Sequence, residues 1–345
     1  MAGWRIGRRN ACSICCGQTD MPAAPAFWSR DGVLSRFLSP LSVLVGAVTS
    51  HRIARPGWRA PVPVICCGNV TVGGAGKTTL AIDLGTRLRA RGVAVHILLR
   101  GYGGTSRGPR RVMADDPATL VGDEALLLAR IAPTWIGADR AASARLAVAA
   151  GARVLLMDDG LQNPGLEKDL SILVIDGESG FGNGRVLPAG PLREPIASGA
   201  ARCQVAVLIG DDLSGAIARL PANLPVLRAR LVQDQAIDAL KGQPVLAIAG
   251  IARPGKFFDP LIRAGALVME TREFPDHHPF TRAELEAVLQ RAAAKGAVVV
   301  TTPKDAVRLP PDLRARFTVV GVRLDWRDPA GIEAWLAGVV GSGRT

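Results

Sequence analysis

Gly68-Asn-Val-Thr-Val-Gly-Gly-Ala-Gly-Lys-Thr-Thr79 decides how this chain folds. An apolar run, Val62 to Cys67, precedes it and reads as a short buried strand. Thr79 to Ala90 follows and reads as a helix ended by Gly92. Strand, glycine-rich loop and helix make the setting of a Walker A phosphate loop. Its glycines let successive backbone N–H groups turn toward phosphate, and the helix N-terminus adds partial positive charge. Lys77 then brings a positive charge to the β- and γ-phosphates, and Thr78 a hydroxyl to magnesium. The expected nucleotide contacts are Thr71, Val72, Gly73, Gly74, Ala75, Gly76, Lys77 and Thr78. One position departs from the pattern. Thr71 stands where the opening Gly belongs, and Gly73 and Gly74 are expected to supply the freedom instead.

Working outward, Val154-Leu-Leu-Met-Asp158 reads as a buried strand with a carboxylate at its C-terminal end. A magnesium-binding Asp belongs there in this architecture. Asp159 follows at once, so both Asp158 and Asp159 are candidate metal ligands with Thr78. Neighbours on an extended strand point to opposite sides, so both reach one metal only if the strand has ended.

From Pro61 onward strands and helices alternate. Strands are expected at Val93 to Leu99, Ile172 to Ile175 and Val205 to Ile209, with helices at Glu124 to Ile131 and Ala141 to Ala150. That alternation predicts an α/β fold, a P-loop NTPase-like doubly wound and mostly parallel sheet with helices on both faces. A second, smaller α/β unit follows, with strands at Val245 to Ala249, Ala266 to Glu270 and Val298 to Thr301 and a helix at Arg282 to Ala294. Leu220 to Lys241 reads as the linker. The expected division is an extension over 1–20, a membrane-associated helix within 21–60, a nucleotide-binding core over 61–235 and a second α/β domain over 236–345.

The N-terminus has two distinct parts. Residues 1–20 carry Arg5, Arg8, Arg9, Asp20 and three cysteines, and lack the apolar core of a signal peptide. Met21 is a candidate true start, and removing the extension lowers the formal charge only from +12 to +10. Phe27 to Arg59 is apolar at Val33, Leu34, Phe37, Leu38, Leu41, Val43, Leu44, Val45 and Val48, with Arg36 and Pro40 interrupting. Trp28 and Trp58 bound it, and Arg30, Arg52, Arg55 and Arg59 flank it. Its uninterrupted run is short for a spanning helix. Basic, tryptophan-bounded apolar helices lie at bilayer surfaces.

Composition narrows the partners. Hydrophobic residues are 48% of the 345 and charged residues 21%, which suits a packed core and argues against global disorder. Aromatics are 4%, too few for a base-stacking nucleic-acid module, so no nucleic-acid partner is expected. The +12 charge then fits an anionic membrane or a phosphorylated substrate. Six cysteines without paired spacing form neither a disulfide framework nor a zinc site, and indicate a reducing compartment.

Further polar residues sit in Gly- and Pro-punctuated segments at strand ends. Arg100-Gly-Tyr-Gly103 follows a strand, Gly122-Asp-Glu124 precedes a helix, and Asp139-Arg140 opens another as a possible surface pair. Leu187-Pro-Ala-Gly-Pro-Leu-Arg-Glu-Pro195 is a rigid loop with one cation and one anion, and Asp276-His-His278 holds two of four histidines. With Gly68 to Thr78, Asp158-Asp-Gly-Leu-Gln162, Ala249-Gly-Ile-Ala-Arg-Pro-Gly-Lys-Phe-Phe258 and Lys304-Asp-Ala306, in this order from Trp28 to about Leu309, the chain resembles the tetraacyldisaccharide 4′-kinase family of lipid A biosynthesis. Asn163, Pro303 and Ala125 depart from residues usual in that family, none of which the chemistry obviously needs.

The resemblance implies ATP-dependent phosphorylation of the 4′-hydroxyl of tetraacyldisaccharide 1-phosphate, giving lipid IVA. Cofactors would be ATP and Mg2+. The partners would be the lipid A disaccharide precursor and the anionic inner-membrane surface, with no obligate protein partner evident. The location would be the cytoplasmic face of the bacterial inner membrane, peripheral or monotopic. With Asp158 or Asp159 committed to magnesium, Asp123 is the expected catalytic base, oriented by His277 when two lobes close on substrate, with Lys77 at the transferring phosphate. Arg100, Tyr102, Glu124, Gln162, Arg193 and His278 are the substrate candidates. The competing reading is a membrane-associated partition- or targeting-type P-loop ATPase. That class places a signature Lys where Val72 stands, and a guanine-reading Asn-Lys-x-Asp box is absent.

Overall fold

The computed structural model describes residues 25–341. The extension 1–20, with Cys12, Cys15 and Cys16, and the candidate start Met21 lie outside the described residues. In chain order the elements are α1 (Val33–Ile53), β1 (Val64–Gly68), α2 (Lys77–Ala90), β2 (Val95–Leu99), β3 (Arg110–Arg111), α3 (Ala118–Val121), α4 (Asp123–Ala129), β4 (Thr134–Ile136), α5 (Arg140–Ala149), β5 (Val154–Asp158), β6 (Leu170–Asp176), α6 (Ile196–Ala200), β7 (Val205–Ile209) and β8 (Val226–Gln233). There follow β9 (Pro244–Ala249), α7 (Gly255–Arg263), β10 (Leu267–Glu273), α8 (Arg282–Ala294), β11 (Val298–Thr301), α9 (Pro303–Ala306), α10 (Pro311–Arg314), β12 (Thr318–Val319), β13 (Val322–Trp326) and α11 (Pro329–Gly341).

Nine strands form one sheet in the order β13-β8-β7-β6-β1-β5-β2-β4-β3. It is parallel except at its edges, where β13 opposes β8 and β3 opposes β4. The central strands are apolar throughout because both faces are covered. Ile65, Cys67, Val154 and Leu156 meet Leu80 and Leu84 of α2 on one face. Val64, Cys66, Leu155 and Met157 meet Ala144 and Ala147 of α5 on the other. β1 lies between β5 and β6, so the chain winds outward from it in both directions. That reversal opens a crevice at the carboxyl ends of β1, β5 and β6, where open α/β sheets bind ligands.

A second sheet, β10-β9-β11-β12, is wholly parallel. Phe257, Phe258 and Leu261 of α7 cover one face, and Leu285, Val288 and Leu289 of α8 the other. The expected linker from Leu220 to Lys241 is structured instead. It contains β8, paired with β7 on one side and β13 on the other. Its polar Arg228 and Arg230 are exposed while Ala229 is buried, so the strand alternates and lacks the continuous apolar run of its neighbours. After the second sheet the chain returns to the first. β13 joins its edge, and Ile332 and Leu336 of α11 enter its core.

α1 is built inside out. Its buried residues are the small Ser35, Ser42 and Gly46, while Val33, Phe37, Leu41, Val43, Leu44 and Val48 are exposed. The small face docks on the Leu187 to Pro195 loop and the turn before it: Ser42 donates to the Val186 carbonyl at 2.7 Å, and Asn183 donates to Ser35 at 3.1 Å. Arg185 holds Asp31 at 2.8 Å just before the helix. The bounding tryptophans also fasten to the body. Trp28 donates through Nε1 to the Pro188 carbonyl at 3.1 Å, and Arg145 lies over the Trp58 ring at 4.5 Å.

Candidate active site

The phosphate loop leaves β1 at Gly68 and enters α2 at Lys77. Gly76 caps α2 with φ +86°, and a Cβ there would meet Cδ1 of Ile209 at 2.6 Å. Only glycine fits both the left-handed backbone and that close approach to the end of β7. Thr71 explains its own departure from the motif. It forms a single antiparallel bridge with Leu192, a strand-like position that needs no glycine, and its hydroxyl accepts from Asn69 Nδ2 at 2.9 Å. Val72 N–H donates to the Pro191 carbonyl at 2.8 Å, so the Leu187 to Pro195 loop backs the phosphate loop. Gly73 and Gly74 face open space.

Lys77 is held for use. Its ammonium donates to Asn69 Oδ1 at 3.0 Å and lies 3.6 Å from Asp159 Oδ1. Thr78 donates to Asp158 Oδ2 at 2.9 Å, which joins two of the three magnesium candidates directly. Asp158 is buried, and its Oδ1 has no hydrogen-bond partner among the described residues. Burial pushes its carboxyl up to about 7, with the nearby Glu124 charge adding to the rise. A buried, half-satisfied carboxylate beside a threonine hydroxyl suits a divalent cation that completes its shell with phosphate oxygens. No cluster of three or more His, Cys, Asp or Glu side chains among the described residues forms a self-contained metal cage. β5 ends at Asp158, and Asp159 turns with φ +56°, so its side chain reaches the phosphate-loop side too.

Asp159 is steadied from below. Arg193 donates to both its oxygens, at 2.8 and 3.0 Å, and to Gln162 Oε1 at 3.2 Å. Gln162 Nε2 donates to the Asn69 carbonyl and to Glu194 Oε1, each at 2.8 Å. Glu194 is fully buried and also accepts from Arg202 at 2.7 Å. Gln162 and Arg193 are thus brought to the site as a bracket for Asp159 and the root of the phosphate loop.

Asp123 opens α4 and is buried. Gly122 before it has φ +90°, and a Cβ there would lie 2.3 Å from the Tyr102 carbonyl. That close approach packs the Gly122 to Glu124 turn onto the Arg100 to Gly103 loop at the end of β2. His277, from the loop after β10, places Nδ1 2.8 Å from Asp123 Oδ2. The expected pair is therefore formed across the two sheets. The Asp123 bond, as the leading cause, holds the His277 imidazole above its ordinary value. Lys304 of α9 donates to Glu124 at 3.2 Å beside it.

Other candidates are placed differently. Arg100 and Tyr102 stand exposed at the rim. His278 turns away from the crevice: Nε2 meets Glu284 at 3.1 Å, and its ring stacks on Phe274 at 5.0 Å. It braces the capping box of α8, because Phe274 and Phe280 leave its ring an apolar slot there. Arg140 is not a surface residue. It is buried, and burial followed by the neighbouring Arg100 charge pushes it down to about 10. Its partner Asp139 is the N-cap of α5, accepting from Ala142 N–H at 3.0 Å.

Sequence reading missed three residues. Asn69 lies just ahead of the glycines and orients Lys77. Glu194 lay in a segment read only as one cation and one anion. The Arg308 side chain, 5% exposed, donates to the carbonyls of Gly250 at 2.9 Å and His278 at 3.0 Å, and reaches the other unit at Asp123 Oδ2, 3.4 Å away. Its one signal was a position four residues past Lys304, one helical turn along the same segment.

Comparison with known proteins shows the family. A family profile described as tetraacyldisaccharide-1-P 4′-kinase matches residues 34–341. A tetraacyldisaccharide 4′-kinase of Gluconacetobacter diazotrophicus is 57% identical over 91% of this chain and 97% of its own length. Its namesake in Rhodospirillum centenum is 53% identical over 91% and 96%. A crystal structure of LpxK from Aquifex aeolicus in complex with ATP superposes with a TM-score of 0.72 at 27% identity, covering 89% of this chain and 99% of that one.

Proposed function

This chain belongs to the tetraacyldisaccharide-1-phosphate 4′-kinase family, and on that premise we propose how its residues carry out the transfer. It is an ATP-dependent kinase of lipid A synthesis, acting on the 4′-hydroxyl of the tetraacylated disaccharide 1-phosphate. The partition-type ATPase reading is not favoured. Magnesium, held by Thr78 and Asp158, would neutralise charge on the phosphates. Lys77 directs its ammonium at the transferring group, and Asn69 fixes where it points. Arg193 keeps Asp159 close to Lys77, so that carboxylate sets the local charge balance without drifting toward the phosphates.

Asp123 is the base. Oδ2 is taken by His277 and approached by Arg308, while Oδ1 has no hydrogen bond from a described residue. Oδ1 is the atom that accepts the proton of the attacking hydroxyl. His277 orients the carboxylate. Residues 61–235, with β13 and α11, on this reading bind nucleotide, and the second sheet's unit, from β9 to β12, brings His277, Lys304 and Arg308 to the reaction centre. Glu124 and the rim residues Arg100 and Tyr102 would meet the sugar. The exposed apolar face of α1, followed by His51, Arg52, Arg55 and Arg59, supports attachment to the cytoplasmic leaflet of the inner membrane, where anionic lipid attracts cations.

The Asp123–His277 contact carries the mechanism, since it places a carboxylate base where the units meet. The test is transfer of labelled γ-phosphate from ATP to the tetraacyldisaccharide 1-phosphate. Asp123→Asn keeps the shape and removes the base, so transfer should fall by about 10²- to 10⁴-fold while ATP still binds. Label appearing only as inorganic phosphate in the wild type would replace the kinase with an ATPase.

A further inference from the structure

Just past α1 lies a cavity of about 270 Å³ outside the phosphate-loop crevice. Ile53, Leu161 and Leu166 form its apolar wall, and Arg55, Lys168 and Arg202 bring three cations to it. Lys168 is the informative one. Its ammonium donates to the Asn163 carbonyl and makes no ion pair with any described residue. The acid next to it in sequence, Glu167, is engaged by Arg59 at 3.2 Å. Arg202 is half-committed, to Glu194 and the Ser198 carbonyl, and Arg55 is exposed.

A partly buried ammonium that makes no ion pair with a described residue is a natural seat for an arriving anion. Burial is the largest influence on Lys168 and lowers its proton affinity, with the Glu194 carboxylate among the groups that oppose it. Position says which anion. The cavity begins where the outward-facing apolar helix ends, the level at which lipid phosphates sit when that helix rests in a bilayer. Its half-apolar lining suits the junction of a charged head and its attached carbon skeleton.

We propose that this cavity binds the phosphate ester of a lipid, with Lys168 as its counter-ion and Arg55 closing over it from the surface. Two lipids carry that chemistry: the acceptor, through its own 1-phosphate, and the surrounding phospholipid. The first rests on the kinase assignment above, and the experiment separates the two.

Initial rates are measured for wild type, Lys168→Met, Lys168→Arg and Arg55→Gln. The acceptors are tetraacyldisaccharide with and without the 1-phosphate, presented in phosphatidylcholine vesicles with or without phosphatidylglycerol. For a 1-phosphate site, Lys168→Met raises KM for the phosphorylated acceptor at least about tenfold and leaves KM for the other acceptor and for ATP unchanged, the size expected for one lost charge-assisted contact. Lys168→Arg retains most of the effect, and Arg55→Gln gives a smaller rise. For a phospholipid site, the variant instead loses a stimulation by phosphatidylglycerol that the wild type shows with both acceptors. Tm gives an independent reading: removing a partly buried charge that makes no ion pair leaves Lys168→Met at least as stable as wild type. A lowered Tm with unchanged kinetics in every arm makes Lys168 a structural residue and overturns the proposal. Wild type that phosphorylates neither acceptor would refute the kinase assignment itself.

Discussion

At the scale of single residues, the phosphate loop and the base pair make separate predictions. On the proposed mechanism Lys77→Ala removes a charge aimed at the transferring phosphoryl group, and kcat should fall about 10²-fold or more. Near-normal turnover would mean that Lys77 is only a structural partner of Asn69. For Asp123 and His277, each alanine variant should lower kcat strongly with little change in ATP affinity, and the double variant should be little worse than the worse single one. Fully additive losses would show that they act apart. The pair also makes stability depend on pH. The Asp123 bond raises the His277 value in the folded chain, so its stabilisation is complete below the unfolded imidazole value. It fades as pH rises through the folded value. The Tm gap between wild type and His277→Ala should therefore be wider near about pH 6 than near about pH 9. His277 is half exposed, so the effect should stay under about 1 kcal/mol. Sequence spacing singled out Lys77 and Thr78 because they sit in one strand–loop–helix, and Asp158 because it ends an apolar strand. Asn69 and Glu194 stayed hidden because each works through a bond to a distant or structurally neutral partner, which no periodicity records.

At the scale of elements, legibility followed burial. Strands covered on both faces, such as β5 and β7, are continuous apolar runs and stand where the pattern puts them. β8 was read as linker because one exposed face interleaves arginines with its apolar residues. α1 was legible as apolar but not as inverted, since only the fold shows that serine and glycine face the body. That inversion separates stability from attachment. Changing Phe37, Leu41 and Leu44 together to Ser alters exposed positions, so Tm should move little. Sedimentation with anionic vesicles should drop sharply, each apolar side chain being worth up to about 1.5–3 kcal/mol when buried in lipid. Unchanged sedimentation would move the attachment elsewhere. The turn before α4 predicts the reverse, a local change with catalytic effect. Gly122→Ala adds a Cβ against the Tyr102 carbonyl in a backbone state reserved for glycine. Strain of about 1–3 kcal/mol should displace Asp123, and transfer should fall with stability, both read on one preparation.

At the scale of the whole molecule, the two sheets must meet for the site to exist. Two kinds of bond join them. Glu178 with Lys256, at 2.8 Å, is more than half exposed and worth at most about 1 kcal/mol. The Arg308 side chain, 5% exposed, holds the carbonyls of Gly250 and His278 and the carboxylate of Asp305 within its own unit, and crosses to the other unit only at Asp123, 3.4 Å away. Burial pushes the Asp305 carboxyl upward, and the Arg308 charge is the largest influence opposing it. Arg308→Met would leave Asp305 buried without its cation and two carbonyls short of a donor. Breaking such a set should cost about 3–5 kcal/mol. Arg308→Lys should recover little, because a single ammonium cannot serve four acceptors that a planar fork reaches at once. Glu178→Ala is the control for a contact between the same two units that water already screens. Midpoints of urea unfolding should rank Arg308→Met well below Glu178→Ala, with Glu178→Ala near wild type. Equal midpoints would show that this network adds little to stability, and Arg308 would then matter only through the orientation it gives Asp123.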